Sequence, residues 1–336
     1  MRVPYLSVII PAYNASETLG RLLASLAASS YKNFEVIVGD DASNEQLTVK
    51  KLHTAGQKFP LSVTRLTHNR GPAAARNAAV KRARGDVLVF LDADVMVYPD
   101  TIAKIAEKFK EDHDLTAITG VWDKHQRTKS FFPQFKALRD WSYWTNERDS
   151  EGYYYLFSTR NAAIRRNVFL RLGGFNEAFR QMEDVELTHR IAKRYAIIFA
   201  PDVRVHHEFE GFVAVAKKYF WRSYYWMKIY GTHHKFDTVA TTMRETVTAL
   251  AGVSFLGVIG FGILLFFFVA IPMVKMICLS IACVLLVIHL VLLRKFLWFV
   301  YKEKGFWFVC KAFGTGLVLY VVIFAGGAYY QVKKNI

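Results

Sequence analysis

Cysteine is scarce in this sequence. The three present, Cys278, Cys283 and Cys310, fall in or beside apolar blocks and lack the close paired spacing of a zinc site. They read as packing residues and leave the redox compartment open. Acidic charge is short as well: 28 Asp and Glu stand against 44 Lys and Arg, a formal net charge of +16. Such an excess attracts polyanions, whether nucleic acid, anionic lipid or phosphorylated substrates. The first residues, Met1 to Ser7, lack the apolar core of a secretory signal and run straight into a strand-like segment, so the first domain is expected to stay on the side where it is made. After residue 245 charge is nearly absent over long blocks, which marks a membrane domain. That setting favours lipid and phosphate as partners of the basic charge, and nucleic acid is not expected.

With 336 residues the chain exceeds one ordinary core. Its first two thirds alternate strand-like runs, at Leu6 to Ile10, Phe34 to Gly39, Leu61 to Leu66 and Val87 to Leu91, with helix-like stretches at Ser16 to Ala28, Glu45 to Ala55 and Ala73 to Ala83. Alternation of this kind predicts an α/β domain with a mostly parallel sheet covered by helices. Ligands of such sheets bind beyond the carboxyl ends of the strands. Here those ends carry Pro11-Ala12-Tyr13-Asn14, Asp40-Asp41-Ala42-Ser43 and Asp92-Ala93-Asp94.

Two aromatic and basic stretches follow. Ser130 to Trp144, behind Lys124, Arg127 and Lys129, reads equally as a core helix or as an interfacial one. Phe212 to Tyr230 interleaves Lys217, Lys218, Arg222 and Lys228 with Tyr219, Trp221, Tyr224 and Trp226, and reads as an interfacial helix at headgroup depth. The expected organisation is a domain over 1–211, amphipathic helices over 212–245, and an all-α membrane domain over 246–336 with spans at 246–271, 273–293 and 312–330. Arg294 to Lys311 is expected to be a basic loop on the cytoplasmic side, although Lys333 and Lys334 in the tail oppose that topology.

An Asp-x-Asp triplet alone is weak, since acidic residues are common in turns after strands. Its place after a buried-strand run strengthens it: the two-residue spacing aims Asp92 and Asp94 into one crevice, where hard oxygens suit Mg²⁺ or Mn²⁺ on a diphosphate.

At this point the chain resembles the family 2 inverting glycosyltransferases of the GT-A fold. The resemblance rests on six ordered segments: Ser7 to Asn14, Val38 to Ser43, Gly71 to Asn77, Gly85 to Asp94, Gly173 to Glu177 and Met182 to Leu187. It implies a Rossmann-like domain that binds a nucleotide-sugar, with UDP favoured, through Pro11, Ala12, Tyr13, Asn14 and Asp41. It implies Arg76 beside the nucleotide, Asp92 on ribose and diphosphate, Asp94 as metal ligand and Asp184 as catalytic base flanked by Glu183. In Pro201 to His207 it favours His207 over His206 as a second metal ligand. Taken without the resemblance, the acids around Asp184 read as an ordinary helix N-terminus. Thr159-Arg160 before Asn161 departs from the family's small residues, and a guanidinium there could reach a phosphate of donor or acceptor. Phe220-Trp221-Arg222-Ser223 lacks the glutamine of the processive polymerases' signature, which disfavours long-chain polymerisation; Trp221 and Arg222 stay as acceptor-side candidates with Arg160, Asn161 and Glu183.

The expected activity is inverting sugar transfer to a hydroxyl of a lipid-linked or membrane glycan, at the cytoplasmic face of a prokaryotic plasma membrane. A polyprenyl-phosphate acceptor and a non-catalytic sugar-binding scaffold are the alternatives.

Overall fold

The computed structural model describes residues 3–45, 47, 49–52, 57–147, 155–233, 243–268 and 272–334. In chain order the elements begin β1 (Leu6–Ala12), α1 (Ser16–Ala27), β2 (Phe34–Asp40), α2 (Val49–Leu52), β3 (Leu61–Arg65), α3 (Pro72–Val80), β4 (Val87–Leu91), β5 (Val95–Val97), α4 (Thr101–Glu111) and β6 (Ala117–Trp122). They continue with α5 (Phe131–Ser142), β7 (Asn161–Arg165), α6 (Arg166–Arg171), α7 (Glu183–Ala192), β8 (Ile197–His207), α8 (Phe212–His233), α9 (Met243–Phe268), α10 (Pro272–Lys304) and α11 (Phe306–Lys334). Of the helix expected over 45–55, Val49–Leu52 is helical, and 46, 48 and 53–55 lie outside the described residues.

The chain divides into two compact units, Met1–Arg127 with Asp149–Glu208, and Thr128–Arg148 with Phe209–Ile336. Residues 128–148, given by sequence to the first domain, thus cluster with the C-terminal helices. The reason is the apolar face of α5: Phe132, Phe135 and Leu138 are buried in a core with Leu293, Phe296 and Val300 of α10 and Ala312 of α11.

The first unit is built on one eight-stranded sheet ordered β3-β2-β1-β4-β7-β6-β8-β5. Strands β3, β2, β1 and β4 run parallel, and β7 then pairs antiparallel to β4 and β6, so the sheet is mixed. Every residue of β2 and β4 is buried, as expected of apolar strands covered on both faces. Phe90 of β4 anchors an aromatic cluster with Phe157, Phe169 and Phe175. Helix α3 lies close on β2 because Gly39 has no side chain: a Cβ there would strike the Ala75 carbonyl. That close approach sets the position of the next residue, Arg76.

In the second unit α9, α10 and α11 are long and apolar enough to cross a bilayer, over Arg244–Phe267, Pro272–Lys304 and Phe306–Lys334. The basic loop expected over 294–311 is instead helical: α10 runs unbroken to Lys304 and α11 starts after Gly305. Its cations sit on the last turns of one helix and the first of the next, where long side chains extend beyond an apolar stretch without a loop. Helix α8 packs one face on α11, where Gly326 leaves room for the Phe220 backbone; Gly257 and Gly260 face open space. Lys217, Lys218, Trp221, Arg222 and Tyr225 lie on the exposed face of α8. Residues 234–242 of the expected amphipathic region and 269–271 of the first expected span are outside the described residues.

Candidate active site

The carboxyl edge of the sheet gathers most of the candidate residues. At the end of β1, Pro11 and Ala12 lead to Tyr13, half exposed, and to Asn14, whose backbone is left-handed at φ 50°. The Asn14 N–H donates to Ser43 Oγ at 3.0 Å, and Asn14 Oδ1 accepts the Asn44 N–H at 2.8 Å, which pins the β1 and β2 ends together. Asp41 is buried, and its two carboxylate oxygens accept the backbone N–H groups of Arg70 at 2.7 Å and Gly71 at 2.8 Å. Its structural task is thus to hold the loop that starts α3.

Arg76 is the hub. Its side chain is 3% exposed and donates to Asp92 Oδ1 at 2.7 Å and to Glu183 Oε1 at 2.6 Å. Burial disfavours its charge, but Asp92 and Glu183 more than compensate and raise its pKa above the ordinary value. Both terminal nitrogens of Arg76 are engaged by protein carboxylates.

Glu183 and Asp184 open α7. Met182, just before them, is buried and left-handed at φ 65°, a costly conformation for a side chain of this size and one typical of strained functional turns. Burial raises the Glu183 pKa, Arg76 pulls it back, and the neighbouring Asp184 adds to the rise; the net shift is upward. Asp184 Oδ1 accepts the Val185 N–H at 2.9 Å, an N-terminal arrangement that fixes the carboxylate. A second set of contacts steadies the segment before it: Asn77 donates to the Phe175 carbonyl at 2.8 Å and to Glu177 at 3.0 Å, and Arg70 pairs with Glu177.

Asp94 immediately precedes β5, and β5 pairs antiparallel with β8 so that Val95 lies opposite His207. That register brings His207 Nε2 to 3.4 Å from Asp94 Oδ2, while His206, on the other face, binds Glu208 at 2.8 Å. Burial would raise the Asp94 pKa, yet the His207 hydrogen bond and the charges of His207 and Arg160 hold it below the ordinary carboxylate value. Among the described residues no group of three His, Cys, Asp or Glu converges. One carboxylate and one imidazole suit an ion that takes its other ligands from substrate phosphates and water, as Mg²⁺ and Mn²⁺ do.

Arg160 precedes β7 and stacks on Trp122, its guanidinium carbon 4.0 Å from the ring centroid. Asn161 is 1% exposed, and its amide donates to the Val203 carbonyl at 2.9 Å, which places it inside the sheet between strands. Trp221 and Arg222 belong to the second unit. The sequence assigns no role to Met182, Trp122 or the Asn77–Glu177 contact, although Met182, Asn77 and Glu177 stand in the quoted motifs. Glu177 lay within a quoted motif and was findable; Trp122 ends an apolar strand with no local signal.

YfnE, an uncharacterized glycosyltransferase of Bacillus subtilis, is 40% identical over 55% of this chain and 59% of its own. A dolichol-phosphate mannosyltransferase of Pyrococcus furiosus is 37% identical over 32% of this chain and 31% of its own. A poly(ribitol-phosphate) beta-N-acetylglucosaminyltransferase, TarS of Staphylococcus aureus, is 36% identical over 32% of this chain and 19% of its own. The chain spans about three fifths of the length of the first such relatives. Among solved structures, the mannosyltransferase PcManGT of Pyrobaculum calidifontis, in complex with GDP-Man and Mn²⁺, covers 99% of this chain and 89% of its own at a TM-score of 0.58 and 18% identity, a likeness of fold. The fold is GT-A, and the matching family, Glycosyl transferase family 2, extends over residues 7–176. The chain belongs to glycosyl transferase family 2.

Proposed function

We propose that the protein transfers a sugar, with inversion, from a nucleotide-diphosphate sugar to a hydroxyl of a lipid-linked or membrane-associated glycan. The single observation behind this reading is the Arg76 bridge: one buried guanidinium ties Asp92, beside the candidate metal ligand, to Glu183, beside the candidate base. Donor and base are thereby held on one rigid frame, as a one-step displacement requires. Asp184 removes the proton of the acceptor hydroxyl as it attacks the anomeric carbon, and the bond to the diphosphate breaks in the same step. Asp94 and His207 would hold a divalent ion, which would supply Lewis-acid stabilisation to a departing diphosphate; the Mn²⁺ and GDP-Man bound by PcManGT support a metal and a nucleotide-sugar in this reading. UDP remains the favoured nucleotide, since Asp41 keeps lone pairs for an imide N–H beyond those used by Arg70 and Gly71. The three apolar helices support an integral membrane protein, here assigned to a prokaryotic plasma membrane with the catalytic unit on the cytoplasmic side.

A phosphate acceptor is the second reading, favoured by the similarity to the dolichol-phosphate mannosyltransferase. A phosphate oxygen is already ionised near neutrality and needs no base, so Asp184 argues for a hydroxyl. The test combines a nucleotide-sugar screen in membranes with Asp184→Asn. The expected outcome is a loss of kcat of about 10²- to 10⁴-fold with donor binding unchanged. Unchanged turnover, or a product that mild acid cleaves as a sugar monophosphate lipid, overturns the hydroxyl reading.

A further inference from the structure

Arg160 differs from the other arginines of this edge. Arg76 bridges two carboxylates, and Arg70 pairs with Glu177. No hydrogen bond or ion pair engages Arg160 among the described residues, so its five N–H donors remain available. Its guanidinium carbon nevertheless lies over the Trp122 ring, 4.0 Å from the centroid, a contact that suits a planar guanidinium better than an ammonium. A cation held in place but unpaired, and partly withdrawn from water, is an arrangement the fold itself does not need.

Strand order says which part of a substrate it meets. Asn161 lies opposite Leu91, so Arg160 stands level with Asp92. The candidate nucleotide residues end β1 and β2, on one side of β4, whereas Arg160 leads β7 and Trp122 ends β6, on the other. A donor laid along this edge, base over β1 and β2 and diphosphate at Asp92 to Asp94, directs its sugar and the incoming acceptor toward Arg160. The field of Arg160 reaches Asp94, which keeps it within electrostatic range of the transfer point.

We propose that Arg160, held against Trp122, is a specificity-determining residue that recognises an oxyanion, carboxylate or phosphate, carried by the transferred sugar or by the attacking unit of the acceptor. This rests on the sugar-transfer reading above. A neutral sugar offers only weak acceptors to a fixed guanidinium, whereas a carboxylate or phosphate matches its fork with paired, charge-assisted hydrogen bonds.

The test uses the full-length protein in detergent with Mn²⁺ and two pairs of probes measured by calorimetry. In the donor arm UDP-glucuronate is compared with UDP-glucose; in the acceptor arm, with UDP present, glucose 6-phosphate is compared with glucose. The wild type is expected to favour the anionic member of one pair by about tenfold or more, and the arm that responds names the source. Arg160→Gln should erase that preference while leaving UDP affinity unchanged, and Arg160→Lys should keep part of it. Equal weakening of UDP, UDP-glucose and UDP-glucuronate by Arg160→Gln would make it a diphosphate ligand and overturn the proposal. UDP binding with no anion preference in either arm overturns it alone, whereas no UDP binding at all removes the donor reading and this proposal together.

Discussion

Two arginines largely withdrawn from water, one in each unit, are built alike and differ in what surrounds them. Arg76 is clamped between Asp92 and Glu183 and lies 5.5 Å from the centroid of the Phe175 ring. Arg139, on α5, binds Glu147 at 2.6 Å and Glu245 at 3.7 Å and lies 4.9 Å from the Phe296 ring. In both, burial opposes the charge and neighbouring acidic groups restore it; Glu147 contributes most at Arg139, and both arginine pKa values rise. The difference lies in the neighbours of those carboxylates along the chain. Close beyond Asp92 and Glu183 come the candidate metal ligand and the candidate base, and the Arg76 bridge fixes their spacing. Glu147 instead accepts the Ser142 hydroxyl at 2.7 Å within its own helical segment, and near Glu245 Arg244 donates to the Leu292 carbonyl at 2.5 Å, a contact that joins α9 to α10. The same device ties carboxylates of the candidate site together in one unit and helices together in the other.

The largest expected effect comes from removing the first clamp. Arg76→Met leaves Glu183, 9% exposed, facing Asp92 without a cation, and breaking a buried pair in this way costs about 3–5 kcal/mol. Thermal unfolding in detergent should show that loss, and the folded remainder should fail to bind donor because Asp92 is freed. Arg76→Lys should recover less than half of the activity, since one ammonium cannot place two parallel donors on two carboxylates. A stable Arg76→Met variant with full donor affinity would break the claim that this arginine organises the site.

Which partners Arg76 has could not be read in advance. Its contact with Glu183 spans 107 positions, and nothing in either local pattern specifies the other. The parts of the site that were legible are those governed by short-range rules. Asp92 and Asp94 follow a fully buried strand, and the apolar run Val87 to Leu91 announces both strand and edge. The alternation of side chains on a strand puts His206 and His207 on opposite faces, while the preference for His207 comes from the family resemblance alone. A local signal that has two outcomes decides nothing by itself. Five cations over 294–311 read as a loop, but Lys and Arg are good helix formers and α10 simply continues. The aromatic face of α5 looked equally like core or lipid surface; the deciding partners, Leu293, Phe296 and Val300, are far away in the chain.

Removing the second clamp should separate stability from chemistry. Arg139→Met strips the partner from Glu147, 7% exposed, with an expected cost of about 3 kcal/mol, toward the lower end because Glu245 keeps some access to solvent at 29%. Per folded molecule, kcat and donor affinity should stay within about twofold of wild type, a change too small to signal lost transition-state contacts. Midpoints from thermal unfolding set against kcat at a permissive temperature make the measurement. A selective fall in kcat without loss of stability would show that the two arginines are not divided in the way their surroundings indicate.

The smallest effect tests the state of Glu183 itself. Burial, with Asp184 beside it, keeps the Glu183 pKa above its ordinary value of 4.5 despite Arg76, whereas a typical paired carboxylate shifts down. A group whose native pKa is raised contributes stability that is fully present below the unfolded pKa and is lost as pH rises through the native one. Wild type should therefore lose a little stability as pH climbs from about 4.5 through the native Glu183 pKa, and Glu183→Gln should flatten that part of the curve. The amide still accepts a hydrogen bond from Arg76 through its carbonyl oxygen, so the bridge to Asp92 survives in weakened form. Midpoints collected from pH 4 to pH 8 on both proteins decide it. If Glu183→Gln steepens the curve instead, Glu183 is stabilised as an anion, and Arg76 then outweighs burial at this end of the bridge as the two glutamates do around Arg139.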